Sequence, residues 1–160
     1  MNNIILIGMP ASGKTTVASL YGKNVWDTDA YIENRYGKIS DIFAKHDEEY
    51  FRNLETEAIR QICKNSGAFI STGGGAVLRE ENVRLFRQSG KIVYLRAKVE
   101  TLLKRLEGDT LRPLLIGDRK EKLTKLYTER SPIYESVSDI IIDTDGLTPE
   151  EVLEEIINKK

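Results

Sequence analysis

The chain has 160 residues, 40% of them hydrophobic, and a formal net charge of -1. That length suits one domain with a genuine core, and the balanced charge excludes a sequence-wide field recruiting nucleic acid or an anionic membrane. The single cysteine, Cys63, excludes an internal disulfide framework, and no Cys/His cluster has metal-ligand spacing. The lone histidine, His46, sits in a polar stretch and reads as a solvated surface residue.

The apolar run Ile4–Ile7 reads as a first, buried strand. With that strand so near Met1, no room is left for a signal or transit peptide. No apolar run approaches the ~20 residues needed to cross a bilayer, so a cytoplasmic protein is expected. Gly8-Met-Pro-Ala-Ser-Gly-Lys-Thr15 follows directly and matches GxxxxGK[ST], a phosphate-binding loop when it joins a strand to a helix. Backbone N–H groups of the loop and the positive helix end would cradle phosphates. Lys14 would reach the outer phosphates, and Thr15 would offer its hydroxyl to Mg²⁺. Ala11 stands where a glycine is often found. A nucleoside triphosphate is therefore the expected ligand.

The helix opened by this loop runs through Leu20 and stops at Gly22. Val25-Trp26 is a brief second strand ending on Asp27 and Asp29. Alternate strand residues point the same way, so both carboxylates can face a ligand, although an Asx turn with a helix cap fits as well. Short helices follow through Tyr31-Ile32 and over Ile39–Ala44. Asp47, Glu48 and Glu49 mark the start of a longer helix whose packed face is Phe51, Leu54, Ala58, Ile59 and Ile62. Arg52 and Glu55 lie one turn apart on it. Glu55 could fix the arginine for a carboxylate ligand, but spacing alone favours an exposed ion pair.

Ala68–Ser71 is a third strand and runs into Thr72-Gly73-Gly74-Gly75. Three glycines suggest a substrate against bare peptide, with a flexible turn as the alternative. Ile92–Leu95 and Asp139–Ile142 are the fourth and fifth strands. Between them, Leu111–Lys120 mixes glycine, proline and cationic residues and suits a mobile lid. Arg112 on it could close over the γ-phosphate, yet Arg105, Arg112, Arg119 and Arg130 each read equally well as solvated surface. Arg130 and Pro132 are placed near a helix end. Thr148-Pro-Glu-Glu151 reads as a capping box opening the last helix.

Taken together, the P-loop, DTD at Asp27–Asp29, FRNLE at Phe51–Glu55, STGGG at Ser71–Gly75, LRPLL at Leu111–Leu115 and ERSPIY at Glu129–Tyr134 resemble the shikimate kinase family. The resemblance extends from the P-loop nearly to the C-terminus. It implies an α/β fold, a five-stranded parallel sheet with helices on both faces, like nucleoside monophosphate kinases. It implies one kinase domain over 1–160, with a lid at about 108–120 and a substrate-binding region at about 29–60. The implied reaction moves the ATP γ-phosphoryl group to the 3-hydroxyl of shikimate, with Mg²⁺ as cofactor and a monomer expected.

By the same resemblance, Lys14, Asp29 and Arg112 are catalytic, with Asp29 the candidate base. ATP would be held by Ala11, Ser12, Gly13, Lys14, Thr15, Thr16, Arg105, Arg112 and Pro149. Shikimate would meet Asp29, Arg52, Gly73, Gly74, Gly75 and Arg130, with Phe43 and Phe51 on its apolar side. Thr15 would ligate the metal directly and Asp27 through water. The chain departs from the family pattern in a shorter Thr15–Asp27 connection, in Asp47 where a glycine is common, and near Gly37–Ile39. Rival readings are a gluconate-kinase-like sugar-acid kinase and a non-catalytic NTP-binding relative. A switch GTPase is disfavoured because no NKxD tetrapeptide occurs.

Overall fold

A computed structural model describes residues 2–107 and 116–160. Five strands, β1 (Asn3–Ile7), β2 (Val25–Asp27), β3 (Phe69–Ser71), β4 (Gly90–Arg96) and β5 (Ile140–Asp143), form one sheet in the order β2-β3-β1-β4-β5. Every pairing is parallel. The central strand β1 is buried along its whole length, with Ile4–Ile7 as its apolar run and Asn3 buried at its start.

Side-chain alternation along β1 divides the core. Ile5 and Ile7 face one side with Ile70, Ile92 and Tyr94. There they pack on helices α4 (Glu48–Ile62), α5 (Glu80–Ser89), α6 (Val99–Glu107) and α7 (Ile116–Val137). Ile4 and Leu6 face the other side with Phe69, Val93 and Leu95, covered by α1 (Lys14–Tyr21) and α8 (Pro149–Lys159). A third, smaller cluster of Ile32, Ile42, Phe51 and Ala58 joins α2 (Thr28–Tyr36), α3 (Ile39–Lys45) and α4.

Local signals act where the sequence puts them. Gly22 ends α1 with φ 73°, and Asp47 caps α4 by accepting from the Tyr50 amide. Thr148 and Glu151 form the reciprocal capping box of α8. The helix α5 between the third and fourth strands opens on Glu80 and Glu81, stops at Gly90 and buries Val83 and Phe86.

Three expectations change. β2 ends at Asp27, and Asp29 lies in the first turn of α2, so strand alternation does not aim the two carboxylates. Pro132 lies inside α7 rather than near its end, because Ile133, Tyr134 and Val137 beyond it still pack on the core. Residues 116–120 of the expected lid begin α7, whereas 108–115, with Arg112, lie outside the described residues.

The β1–β4 pairing positions the strand that feeds the P-loop, and Gly90 sits opposite Asn3 in it. A Cβ on Gly90 would collide with the Asn3 backbone carbonyl. Gly90→Ala is expected to lower stability by at least about 1–3 kcal/mol. Urea unfolding followed by circular dichroism checks this, and an unchanged midpoint would contradict it.

Candidate active site

The loop after β1 turns through Gly8 (φ 148°), Ala11 (φ 68°) and Gly13 (φ 96°) into α1. Ala11 thus occupies the left-handed region that its absent glycine would enter freely, a strain of roughly 1–2 kcal/mol. No side chain caps α1, which leaves its first N–H groups to an anion. Lys14 is buried and donates to the carbonyls of Gly8 at 2.6 Å and Met9 at 3.0 Å. Burial pulls its ammonium down to about 8, opposed by Asp29 and Asp27 and assisted by Arg130.

The loop forms one wall of a cleft of about 800 Å³. Ala11, Ser12, Gly13, Lys14, Thr15 and Thr16 line it, and Arg105 and Pro149 line it further along, beside Thr144 and Leu147. Arg105 donates to the Ala11 carbonyl at 3.0 Å, bracing the strained residue.

At the start of α1, the Thr15 hydroxyl donates to Asp27 Oδ2 at 3.0 Å and lies 3.2 Å from Ser71 Oγ. The other oxygen of Asp27 accepts from the Ala30 amide at 3.0 Å. The helix-cap reading of Asp27 is therefore met by one carboxylate oxygen, and the other is turned to the Thr15 hydroxyl. Ser71 was not among the sequence candidates. It reaches this corner through its register partner Asp27, a long-range pairing that spacing cannot show.

The glycine run crosses the end of β3 and gathers the remaining charged groups. A Cβ on Gly73 would stand 2.9 Å from Asp29 Oδ1 and 3.2 Å from Glu55 Oε2. One on Gly74 would stand 3.0 Å from Arg130 Nη1, and one on Gly75 would run into the Arg52 guanidinium. Asp29, Arg52 and Arg130 thus converge on three successive residues. The turn is shaped by its neighbours too, since the Gly73 amide donates to Thr28 Oγ1 at 3.1 Å.

Arg52 is gripped by Glu55 at 2.8 Å, and Glu55 is only 1% exposed. That burial overturns the exposed ion pair that spacing favoured, because α4 turns this face toward the glycines. Burial raises the Glu55 carboxyl, with Arg52 pulling it back. Burial likewise raises Asp29, reinforced by Asp27 and opposed by Lys14. Phe51 is buried with the Arg52 guanidinium 5.3 Å over its ring, and it stacks on the half-exposed Phe43 at 4.9 Å. His46 is exposed and stacks on Tyr50, as a surface histidine should.

This constellation has known counterparts. The family model described as shikimate kinase matches residues 10–160. The chain belongs to the shikimate kinase family. It is 43% identical to the shikimate kinase of Thermodesulfovibrio yellowstonii, over 99% of this chain and 95% of that one. It is 44% identical to the shikimate kinase of Moorella thermoacetica, over 96% and 91%. The solved shikimate kinase of Acinetobacter baumannii in complex with shikimate superposes with TM-score 0.88 at 34% identity, covering 99% of this chain and 92% of that one. The chain is accordingly a phosphotransferase of a family that uses ATP, with the expected five-stranded parallel fold. The gluconate-kinase-like and non-catalytic alternatives give way to shikimate kinase. No helix among the described residues is long and apolar enough to cross a membrane.

The lowered Lys14 ammonium gives a proton-linked signature. Below a pH of about 8 it is charged in the free protein; above, it is neutral until phosphate oxygens restore the proton. Binding of the Mg²⁺ complex of ATP, already deprotonated in this range, is expected to take up about one proton at pH ~9 and almost none at pH ~7. Calorimetry in buffers of different ionisation enthalpy measures this, and Lys14→Met should abolish the difference. Uptake that is flat across this range would refute it.

Proposed function

We propose that the corner over Gly73–Gly75 is the seat of shikimate and that the cleft beside it holds ATP. The observation that carries this reading is the meeting of Asp29, Arg130 and Arg52 over three consecutive glycines. Two guanidinium groups suit one carboxylate, and bare peptide admits a hydroxylated ring close to the backbone. The nucleotide phosphates lie against the P-loop and Lys14, and Arg105 and Pro149 flank the far end of the cleft.

In this reading the 3-hydroxyl oxygen of shikimate attacks the γ-phosphorus, the bond to the bridging oxygen breaks, and ADP departs. Asp29 accepts the hydroxyl proton. Burial raises its carboxyl, which makes it a better proton acceptor than an ordinary aspartate. Lys14 stabilises charge on the transferring group, and the fixed arginines hold the acceptor in line. Phe51 and Phe43 supply the apolar flank. Arg112, expected to act with Lys14, lies outside the described residues.

The trio of Thr15 Oγ1, Asp27 Oδ2 and Ser71 Oγ fits Mg²⁺, which prefers hard oxygens and keeps several waters. When bound, Mg²⁺ neutralises charge on the β- and γ-phosphates. Thr15 would hold it directly and Asp27 through water, with Ser71 adding an oxygen that the sequence did not flag. The single kinase domain over 1–160 and the acceptor region at 29–60 belong to the same reading, as do a monomer and a cytoplasmic location.

Shikimate and ATP titrations test the seat. Arg130→Ala is expected to weaken shikimate binding on the order of ten- to a hundredfold and ATP binding by about threefold or less. Arg52→Ala should give the same split with a lowered Tm, since Glu55 is then left buried without its partner. Equal losses for both ligands would end this assignment.

Asp29→Asn separates catalysis from stability. The folded carboxyl lies above its unfolded value, so the shift opposes folding once the pH exceeds the unfolded value. Neutralising it should lower kcat by about 10²–10⁴ while Tm stays level or rises. Steady-state kinetics and thermal melting read the two halves, and a large Tm loss with kcat intact would contradict the role. In the parent enzyme, kcat/KM for shikimate should fall as pH drops through the raised Asp29 value.

A further inference from the structure

One motif of the sequence has no role in the mechanism so far: the tyrosine that ends ERSPIY. Tyr134 is fully buried on α7, its ring 5.0 Å from that of Tyr94 on β4. Its hydroxyl donates to the Gly74 carbonyl at 2.7 Å, across 60 residues of sequence. Arg130 lies one helical turn earlier on the same face of α7, its Nη1 3.0 Å from where a Gly74 Cβ would be. One turn of helix therefore holds Gly74 by its carbonyl and sets a guanidinium above its Cα.

We propose that Tyr134 is a positioning residue for the acceptor, fixing the Gly74–Gly75 peptide and, through it, the seat of the Arg130 guanidinium. The trans peptide carries its C=O and N–H on opposite sides, so pinning the Gly74 carbonyl on Tyr134 turns the Gly75 N–H the other way. The amides of Gly74 and Gly75 carry no hydrogen bond within the protein among the described residues, which leaves both as donors for hydroxyl oxygens. Glycine peptides rotate freely when nothing restrains them. The buried phenol supplies that restraint from the core, where the ring cannot move. Arg130 also neighbours the phenol, and burial pushes its proton loss up to about 12 despite that cation, so the hydroxyl remains a donor throughout the working range.

This role rests on the acceptor seat proposed above, and its test is built to fail separately. Tyr134→Phe keeps the ring and removes the donor. It is expected to raise the KM for shikimate about tenfold with the KM for ATP within about twofold. 3-Fluorotyrosine at position 134, which restores the hydroxyl, should return the shikimate KM to about the parent value. Tyr94→Phe, which removes another hydroxyl of the same core, should leave that KM unchanged and move at most Tm. In an Arg130→Ala background, the effect of Tyr134→Phe should shrink, since the two act on one peptide. Equal losses for both substrates, or a fluorotyrosine variant as impaired as the phenylalanine one, would overturn the positioning role. A silent Tyr134→Phe alongside a shikimate-selective Arg130→Ala would overturn it and leave the seat intact. If Arg130→Ala were silent as well, the seat itself would fall.

Discussion

The lack of side chains at three consecutive positions organises the charged corner proposed as the acceptor seat. Gly73, Gly74 and Gly75 each leave room that a charged atom fills: a carboxylate oxygen at the first and guanidinium nitrogens at the next two. A methyl group at any of them would displace a group that is fixed from elsewhere. Asp29 is set by the first turn of α2, Arg52 by Glu55 on α4, and Arg130 by α7. Electrostatics follow from this crowding. The acids are raised by burial and the bases hold them back.

Sheet order explains why the P-loop and the glycine corner are neighbours. Strand β3 lies between β1 and β2, so the glycine run emerges between the P-loop and the Asp27–Asp29 turn. All three connections leave the carboxyl edge of parallel strands, where open α/β sheets place ligands. Register sharpens the arrangement. Asp27 pairs with Ser71, and the Thr72 hydroxyl donates to the Leu6 carbonyl at 2.8 Å. One residue of slippage in either pairing would carry the glycines out from under the arginines.

Much of this was legible in the residues themselves, because its causes are local. Apolar runs mark the strands, the glycine-gated loop marks the turn from β1 into α1, and Asp47 and Thr148 mark two helix starts. What escaped depends on contacts between distant segments. An arginine and a glutamate three residues apart look alike whether exposed or buried, and only packing against Gly75 decides between them. The Asp29 carboxylate reaches the site, but from a helical turn rather than a strand, since β2 ends two residues earlier. Ser71 joins the Thr15–Asp27 corner through strand pairing. Pro132 would ordinarily argue for a helix boundary, yet the apolar residues after it keep the helix docked.

The small cluster of Ile32, Ile42, Phe51 and Ala58 stands apart from the two large cores flanking the sheet. Helix α4 nevertheless contributes to this cluster through Phe51 and Ala58 and to the larger core through Ile59 and Ile62, and Tyr31 packs against both. Substitutions in the two are therefore expected to couple through α4 and Tyr31 rather than add independently. Charge changes at Asp29 or Arg130 would likewise be felt at Lys14, whose ammonium both perturb, so the two ends of the cleft are tuned together.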